Sequence, residues 1–329
     1  MNKICFGCGA KLQTTDKNYK GYVPENKVED AKYCMRCFRM MHYGDESTSL
    51  TPKEAKEIVN KINKDDKYVL FLVDLLNIND EVIKIFHSIK VRKTLIVNKC
   101  ELLPKNVNPE RIRDYLKSHY KVKCDIKLKG GRSSHGAKAI LGYLSDKNIH
   151  EAYILGISNS GKSTLINDLI KTLKANVATI NVNKKANTTL DFIRVNLSKD
   201  LQLIDSPGFI LNTAIAHDVD SNVITAYSIN MKKDQQVALL DGKFFLKVSN
   251  NDTPFVFYTN TKSNKAIKKV YKDIEGLDTT IKIRQLNTDL VIKGIGFISF
   301  KKTCVITTNI DKKYIEIRPS MFGGKIYED

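Results

Sequence analysis

No stretch of this 329-residue chain stays apolar for the roughly 20 residues a helix needs to cross a bilayer, so no membrane partner is expected. Histidine is scarce. There are six, and His87, His119, His135, His150 and His217 form no cluster, so a histidine-built metal or catalytic centre has no support. Internal repeats and low-complexity tracts are missing, which removes solenoids and fibrous folds. Residues 1–5 lack an apolar signal segment, so the expected compartment is the cytoplasm. Acidic side chains are in short supply. Asp and Glu number 36 against 54 Lys and Arg, a net charge of +18, and a phosphate-rich partner is the natural inference. A lysine- and asparagine-rich composition inherited from genome bias would give the same total. The excess is also spread over residues 1–50, 51–224 and 225–329, so it marks no single patch.

What is present is organised around Gly156-Ile157-Ser158-Asn159-Ser160-Gly161-Lys162-Ser163, a match to GxxxxGK[ST]. The apolar run Ala152-Tyr153-Ile154-Leu155 before it reads as a buried strand, and residues 164–170 after it read as a helix. That is the setting the motif requires. Gly156 and Gly161 let the chain curl so that its N–H groups point inward, and the helix N-terminus adds positive partial charge, so phosphate oxygens are held by backbone. Lys162 brings a cation to the β/γ-phosphates, and Ser163 can hold Mg²⁺. Asn159, Ser160 and Thr164 complete the candidate nucleotide contacts here. An ordinary Gly-Ser turn before a helix is the plain alternative, and the intact flanks count against it.

Seven cysteines include two pairs, Cys5-Phe6-Gly7-Cys8 and Cys34-Met35-Arg36-Cys37. In a reducing compartment this favours a metal over disulfides. Two thiolates spaced by two residues grip one face of a metal, and two such knuckles complete a tetrahedron. Cys5, Cys8, Cys34 and Cys37 are therefore candidate ligands of a structural Zn²⁺. A disulfide pair or an iron–sulfur cluster fits the compartment and spacing less well. Cys100, Cys124 and Cys304 are expected to be buried apolar residues.

Thr51-Pro52-Lys53-Glu54 has a capping-box layout and opens a helix. Residues 68–74, 94–97 and 122–128 read as strands, with helices marked by Val82, Ile85, Phe86 and Ile89 and by residues 108–118. After the phosphate loop come strands at 192–197 and 201–204, the second delivering Asp205-Ser206-Pro207-Gly208. An Asp at a strand end can hold Mg²⁺, and the Gly N–H can reach a γ-phosphate; a plain Pro-Gly turn is the alternative. This alternation predicts an α/β domain with a mainly parallel sheet over residues 49–224, after a Cys₄ domain at 1–48. From 225 to 329 the chain reads as β-rich, with strands at 244–248, 255–258, 281–284, 290–300 and 314–318 and a basic helix at 262–273. Its interleaved lysines and aromatics suit base stacking and phosphate tracking, and equally suit half-buried strands with solvated lysines.

Asn98-Lys99-Cys100-Glu101, the phosphate loop, Thr188-Thr189 and Asp205-Ser206-Pro207-Gly208 together resemble the motif set of Ras-like GTPases, with the base-reading motif ahead of the phosphate-binding one. The chain thus resembles a circularly permuted GTPase. Cys5-Phe6-Gly7-Cys8-Gly9, Cys34-Met35-Arg36-Cys37-Phe38-Arg39, Asn98 through Lys105 and Thr188-Thr189-Leu190-Asp191 are similar to signatures of the YqeH family. The resemblance implies a permuted Ras-like GTPase domain between a Cys₄ zinc finger and a β-rich, ribosome- or RNA-binding C-terminal domain. It implies a GTP/GDP switch in small ribosomal subunit assembly, contacting rRNA and not DNA. Asn98 and Glu101 would read guanine, Lys99 would brace the loop, and Gly130 and Gly131 would offer backbone N–H to the base. Ser163, Thr189 and Asp205 would hold Mg²⁺. Thr189 and Gly208, with Lys162 and Asp205, would carry catalysis, and Asn159 would help bind K⁺. Phe209 follows Gly208 where a Ras-like enzyme carries its water-orienting residue, so slow, K⁺-stimulated hydrolysis is expected.

Three positions depart from the family pattern. Glu101 replaces Asp, Ala186-Asn187 replaces Pro-Gly, and Lys129-Gly130-Gly131 replaces the Ser-Ala-type loop. Two other readings compete: an ATP-using P-loop enzyme, which Glu101 allows, and a zinc-bearing RNA-binding scaffold with a degenerate nucleotide site.

Overall fold

The computed structural model describes residues 3, 11–15, 21–29, 31, 34–35, 49–50, 52–100, 108–130, 134–158, 160–174, 192–206, 208–209, 211, 213–215, 225–260 and 266–322. The chain divides into two compact units. One comprises residues 1–74, 85–98 and 124–210, the other 75–84, 99–123 and 211–329.

In chain order the elements up to residue 209 are β1 (Ser49–Leu50), α1 (Pro52–Asp65), β2 (Tyr68–Asp74), α2 (Asp80–Ser88), β3 (Lys93–Asn98), α3 (Glu110–Ser118), β4 (Ile126–Leu128), α4 (Ser134–Asp146), β5 (Glu151–Gly156), α5 (Lys162–Lys174), β6 (Ile193–Asn196), β7 (Gln202–Asp205) and β8 (Gly208–Phe209). The first unit is built on a sheet ordered β4-β3-β2-β5-β7-β6. All neighbours pair in parallel except β6 with β7. β2, β3 and β5 are buried along almost their whole length, as expected of parallel strands covered on both faces. Ala137, Ile140 and Leu144 of α4 and Leu165, Ile166 and Leu169 of α5 form one core with Leu70, Ile96 and Ile154 of the sheet. Elsewhere in the unit, Phe71 meets Phe86 edge-on and stacks on Phe209.

The helix α4 has no strong sequence signal, because Gly136 and Gly142 interrupt it; packing against α5 holds it in place. Of the strand expected at 122–128, only Ile126–Leu128 pairs with β3.

The second unit carries β9 (Thr225–Met231), β10 (Gln236–Leu239), β11 (Phe244–Val248), β12 (Thr253–Thr259), β13 (Ile267–Val270), β14 (Thr279–Ile283), β15 (Thr288–Ile292), β16 (Gly296–Phe300), β17 (Cys304–Thr308) and β18 (Ile315–Pro319). They form two antiparallel sheets, ordered β13-β10-β11-β17-β14 and β18-β15-β16-β12-β9. Val237, Leu246, Val248, Ile281 and Ile306 of the first share a core with Phe255, Phe257, Leu290, Ile298 and Phe300 of the second, so the two sheets make a sandwich. The run at 290–300 is a hairpin turning at Gly294, where φ is 89°.

The basic helix expected at 262–273 is not what forms over its described part: Ile267–Val270 is a strand paired with β10. Lysines on a short segment suit either state, and the β-branched Ile267 and Val270 find partners on the sheet edge. Cys304 is buried as expected, whereas Cys100 and Cys124 are only half-buried.

Part of the face of the second sheet turned away from this core, over β15, β16 and β18, is also buried. Arg318 and Asp289, each one residue inside the end of its strand, are 2% and 0% exposed. The Arg318 guanidinium lies 5.8 Å from the Tyr115 ring and 5.2 Å from the Phe297 ring, donates to the Ile78 carbonyl, and places Nη2 3.6 Å from Asp289. Burial pushes the Asp289 carboxyl up, and Arg318 pulls it back. Glu316 accepts from the Asp80 N–H at 2.9 Å and the Tyr120 hydroxyl at 3.0 Å.

Candidate nucleotide site

β2, β3, β5 and β7 end at Asp74, Asn98, Gly156 and Asp205, on one edge of the sheet because they run parallel. Ligands of open α/β sheets bind outside such strand ends. The phosphate loop leaves β5 and enters α5. An added methyl at Gly156 would overlap the Leu72 carbonyl. Gly161 has φ of 91°, and a methyl there would overlap Asn98 Nδ2. Both glycines are therefore required by close approach, and at Gly161 also by a left-handed backbone. Asn98 donates from Nδ2 to the Ser160 carbonyl at 2.9 Å. Asn98, the asparagine expected to read the base, and the phosphate loop thus meet directly, although 62 residues separate Asn98 from Ser160.

Lys162 is 2% exposed, with Nζ 3.4 Å from the carbonyls of both Gly156 and Ile157. Ser163 is half-buried in the first turn of α5, and Thr164 is exposed. Ser160 is fully buried, and its Oγ has no hydrogen-bond partner among the described residues. Asp205 ends β7 at 7% exposure, and the Ser206 hydroxyl donates to the Ile154 carbonyl at 3.0 Å. Gly208 and Phe209 pair in parallel with Ser49 and Leu50, and the Phe209 carbonyl accepts from the Ser158 N–H at 2.9 Å. Phe209 is fully buried and stacks on Phe71 at 6.4 Å between ring centroids. A side chain so enclosed has no water to orient.

Lys99 adopts a left-handed backbone, φ 64°, which turns the chain sharply after β3. Gly130 follows β4 and is half-buried. The neighbouring Lys129 donates its N–H to the Val97 carbonyl at 2.8 Å, and its Nζ lies 3.0 Å from Asp168 Oδ2 on α5. Sequence reasoning missed Asp168, the Phe71–Phe209 stack and the β1–β8 pairing. Nothing in local spacing signals them, since all are long-range contacts. Glu101, Gly131, Asn159, Thr188 and Thr189 lie outside the described residues, as do Cys5, Cys8 and Cys37. Cys34 is buried.

The backbone cradle, a buried lysine inside it and a carboxylate at the adjacent strand end are what a magnesium-bound nucleoside triphosphate needs. The sequence profile of the family described as RsgA GTPase matches residues 54–213, running through β3 before it reaches the phosphate loop. That of the family described as 50S ribosome-binding GTPase matches residues 151–286. The chain is a circularly permuted GTPase.

It is 27% identical to the uncharacterized protein YqeH of Bacillus subtilis (strain 168), over 90% of this chain and 92% of that protein. It is 25% identical to NO-associated protein 1, chloroplastic/mitochondrial, of Arabidopsis thaliana, over 66% of this chain and 46% of that protein. Identity to GTPase Der of Karelsulcia muelleri (strain GWSS) is 26%, over 75% of this chain and 59% of that protein. This GTPase therefore spans most of YqeH and less than half of the Arabidopsis protein. Among the described residues, no helix is long and apolar enough to cross a membrane, and no cluster of metal-ligating side chains is assembled.

Proposed function

We propose that this GTPase is a slow guanine-nucleotide switch acting in small ribosomal subunit assembly in the cytoplasm. The observation that carries the reading is the contact of Asn98 with Ser160 and Gly161, which supports base-reading and phosphate-binding loops that serve one nucleotide. Lys162, Ser163, Thr164 and the loop N–H groups hold the phosphates; Asn98, Glu101, Gly130 and Gly131 read the base. Mg²⁺ would be held by Ser163, Thr189 and Asp205, and would supply charge against the β/γ-phosphate oxygens. Burial of Phe209 leaves the attacking water without a side chain at that position, which supports slow turnover. K⁺ at Asn159 would offset the charge that builds on the phosphates. Residues 1–48 would carry Zn²⁺ on Cys5, Cys8, Cys34 and Cys37.

RNA contact is assigned to residues 225–329. Lys247 and Lys282 alternate with core-facing Leu246, Val248, Ile281 and Ile283, so they share the outer face of the first sheet with Phe245. Lys268 lies opposite Ala238, on the same face. Tyr271, just beyond β13, is 90% exposed.

The test is co-sedimentation with purified small and large subunits, with GDP or a non-hydrolysable GTP analogue, alongside phosphate release in K⁺ and in Na⁺. Nucleotide-dependent association with small subunits and faster release in K⁺ are expected. One matched family is described as 50S-binding, so association with large subunits alone would overturn the small-subunit assignment. Displacement of labelled GTP by equimolar ATP would overturn guanine specificity.

A further inference from the structure

We infer that Lys129 and Asp168 form a positioning brace that sets the base-reading loop against the phosphate-loop helix and sharpens selection of a 6-oxopurine. The inference rests on the guanine-nucleotide reading above. Lys129 is 4% exposed, and its ion pair with Asp168 spans 3.0 Å, with side chains 5% and 23% exposed. Burying an ammonium is costly even when it is paired, and an apolar side chain would fill the same space more cheaply. Packing alone therefore does not account for a lysine here.

Three connections meet at this residue. Its N–H is bonded to Val97, the neighbour of Asn98. Its Nζ reaches α5, the helix that Lys162 and Ser163 open. Its Cγ would lie 3.2 Å from a methyl placed on Gly136, so the stem is wedged against the start of α4. The next two residues are Gly130 and Gly131, the most freely rotating backbone available. A loop N–H that is to donate to a purine O6 must be aimed, and glycine supplies no stiffness of its own. Lys129 supplies it from outside. An adenine 6-amino group would meet that N–H donor to donor, so the better the N–H is fixed, the larger the penalty for adenine.

The experiment uses the full chain with Lys129→Met, Asp168→Asn, the two combined, and the exchanged pair Lys129→Glu with Asp168→Lys. Dissociation constants for GDP, IDP and ADP are measured by displacement of a fluorescent GDP analogue, and thermal midpoints are recorded without nucleotide. Lys129→Met is expected to lose about tenfold of the GDP-over-ADP preference. IDP keeps O6, so the GDP-to-IDP ratio should stay within about twofold. The double variant should be no worse than the single ones, and the exchanged pair should recover part of the preference. Equal weakening of all three nucleotides together with a lower midpoint would mean a merely structural role and overturn the brace. An unchanged GDP-over-ADP preference would overturn it too, while leaving the guanine reading intact. Failure of the unmodified chain to take up GDP would overturn both.

Discussion

The two units bury charged side chains in different places. In the first, Asp74, Lys162 and Asp205, together with the uncharged Asn98 and Ser160, stand at the C-terminal ends of parallel strands or in the loops that follow. In the second, Asp289 and Arg318 lie within the antiparallel pair β15 and β18 and face each other. Ligands of open α/β sheets bind outside such strand ends as those of the first unit, so polar groups buried there are candidates for ligand contact. Asp289 and Arg318 are instead met by protein groups of their own unit: Ser299 and Met321 donate to the carboxylate, and Arg318 donates to the Ile78 carbonyl and the Tyr120 hydroxyl. Burial of a charged residue thus points to a candidate ligand site in one unit and to internal packing in the other.

The sharpest way to break this comparison is Arg318→Met. It leaves Asp289 buried without its cation and should cost about 3–5 kcal/mol of stability, read from denaturant melts, with GDP affinity unchanged. Without the Arg318 cation to oppose burial, and with only the hydrogen bonds from Ser299, Met321 and Ser320 left to do so, the Asp289 carboxyl of the folded variant titrates further above its usual 3.8. The native state then keeps a proton that the unfolded chain releases. This group's contribution to the variant's stability is fully present below that value and is lost as pH rises through the raised one, a larger loss than in the unmodified protein. The converse change is Gly161→Ala, which should weaken GDP binding by about 100-fold, roughly 2.7 kcal/mol, in a fluorescence titration. Its circular dichroism should stay native.

Phe209→Gln tests a residue that sits at the site yet is buried as core. It should lose about 2 kcal/mol of stability and gain no hydrolysis rate, because the side chain points at Phe71 and not at water. A faster enzyme would show that the glutamine can reach the nucleotide. The smallest effect belongs to Lys268→Ala on the outer face of the first sheet. Its pair with Asp241 spans 3.7 Å with both side chains about 60% exposed, so stability should move by less than about 0.5 kcal/mol, while binding to single-stranded RNA weakens measurably.

The parallel sheet was the more legible region. Residues 68–74, 93–98 and 151–156 are short apolar runs because both faces of a parallel sheet are covered, and such runs show in any window of sequence. The sandwich was legible in its β-class but less so in its parts. β10 and β17 carry few large apolar residues, and β13 read as a helix because its lysines say nothing about period. Helix α4 shows no clear period because two glycines blur its face, and what holds it is packing against α5, the next helix along the chain after β5.

At the site, the phosphate loop could be read because its chemistry is compressed into eight consecutive residues. The same holds for Asn98-Lys99 and Asp205-Ser206-Pro207-Gly208, where backbone shape and residue type sit side by side. What only the tertiary structure decided was the pairing of distant pieces: Asn98 with Ser160, Lys129 with Asp168, Phe209 with Phe71, and Arg318 with Asp289 and Tyr115. The chain order of the motifs left their meeting open. Their convergence follows from parallel strands ending on one edge of one sheet, a consequence of strand direction and order that no local stretch encodes.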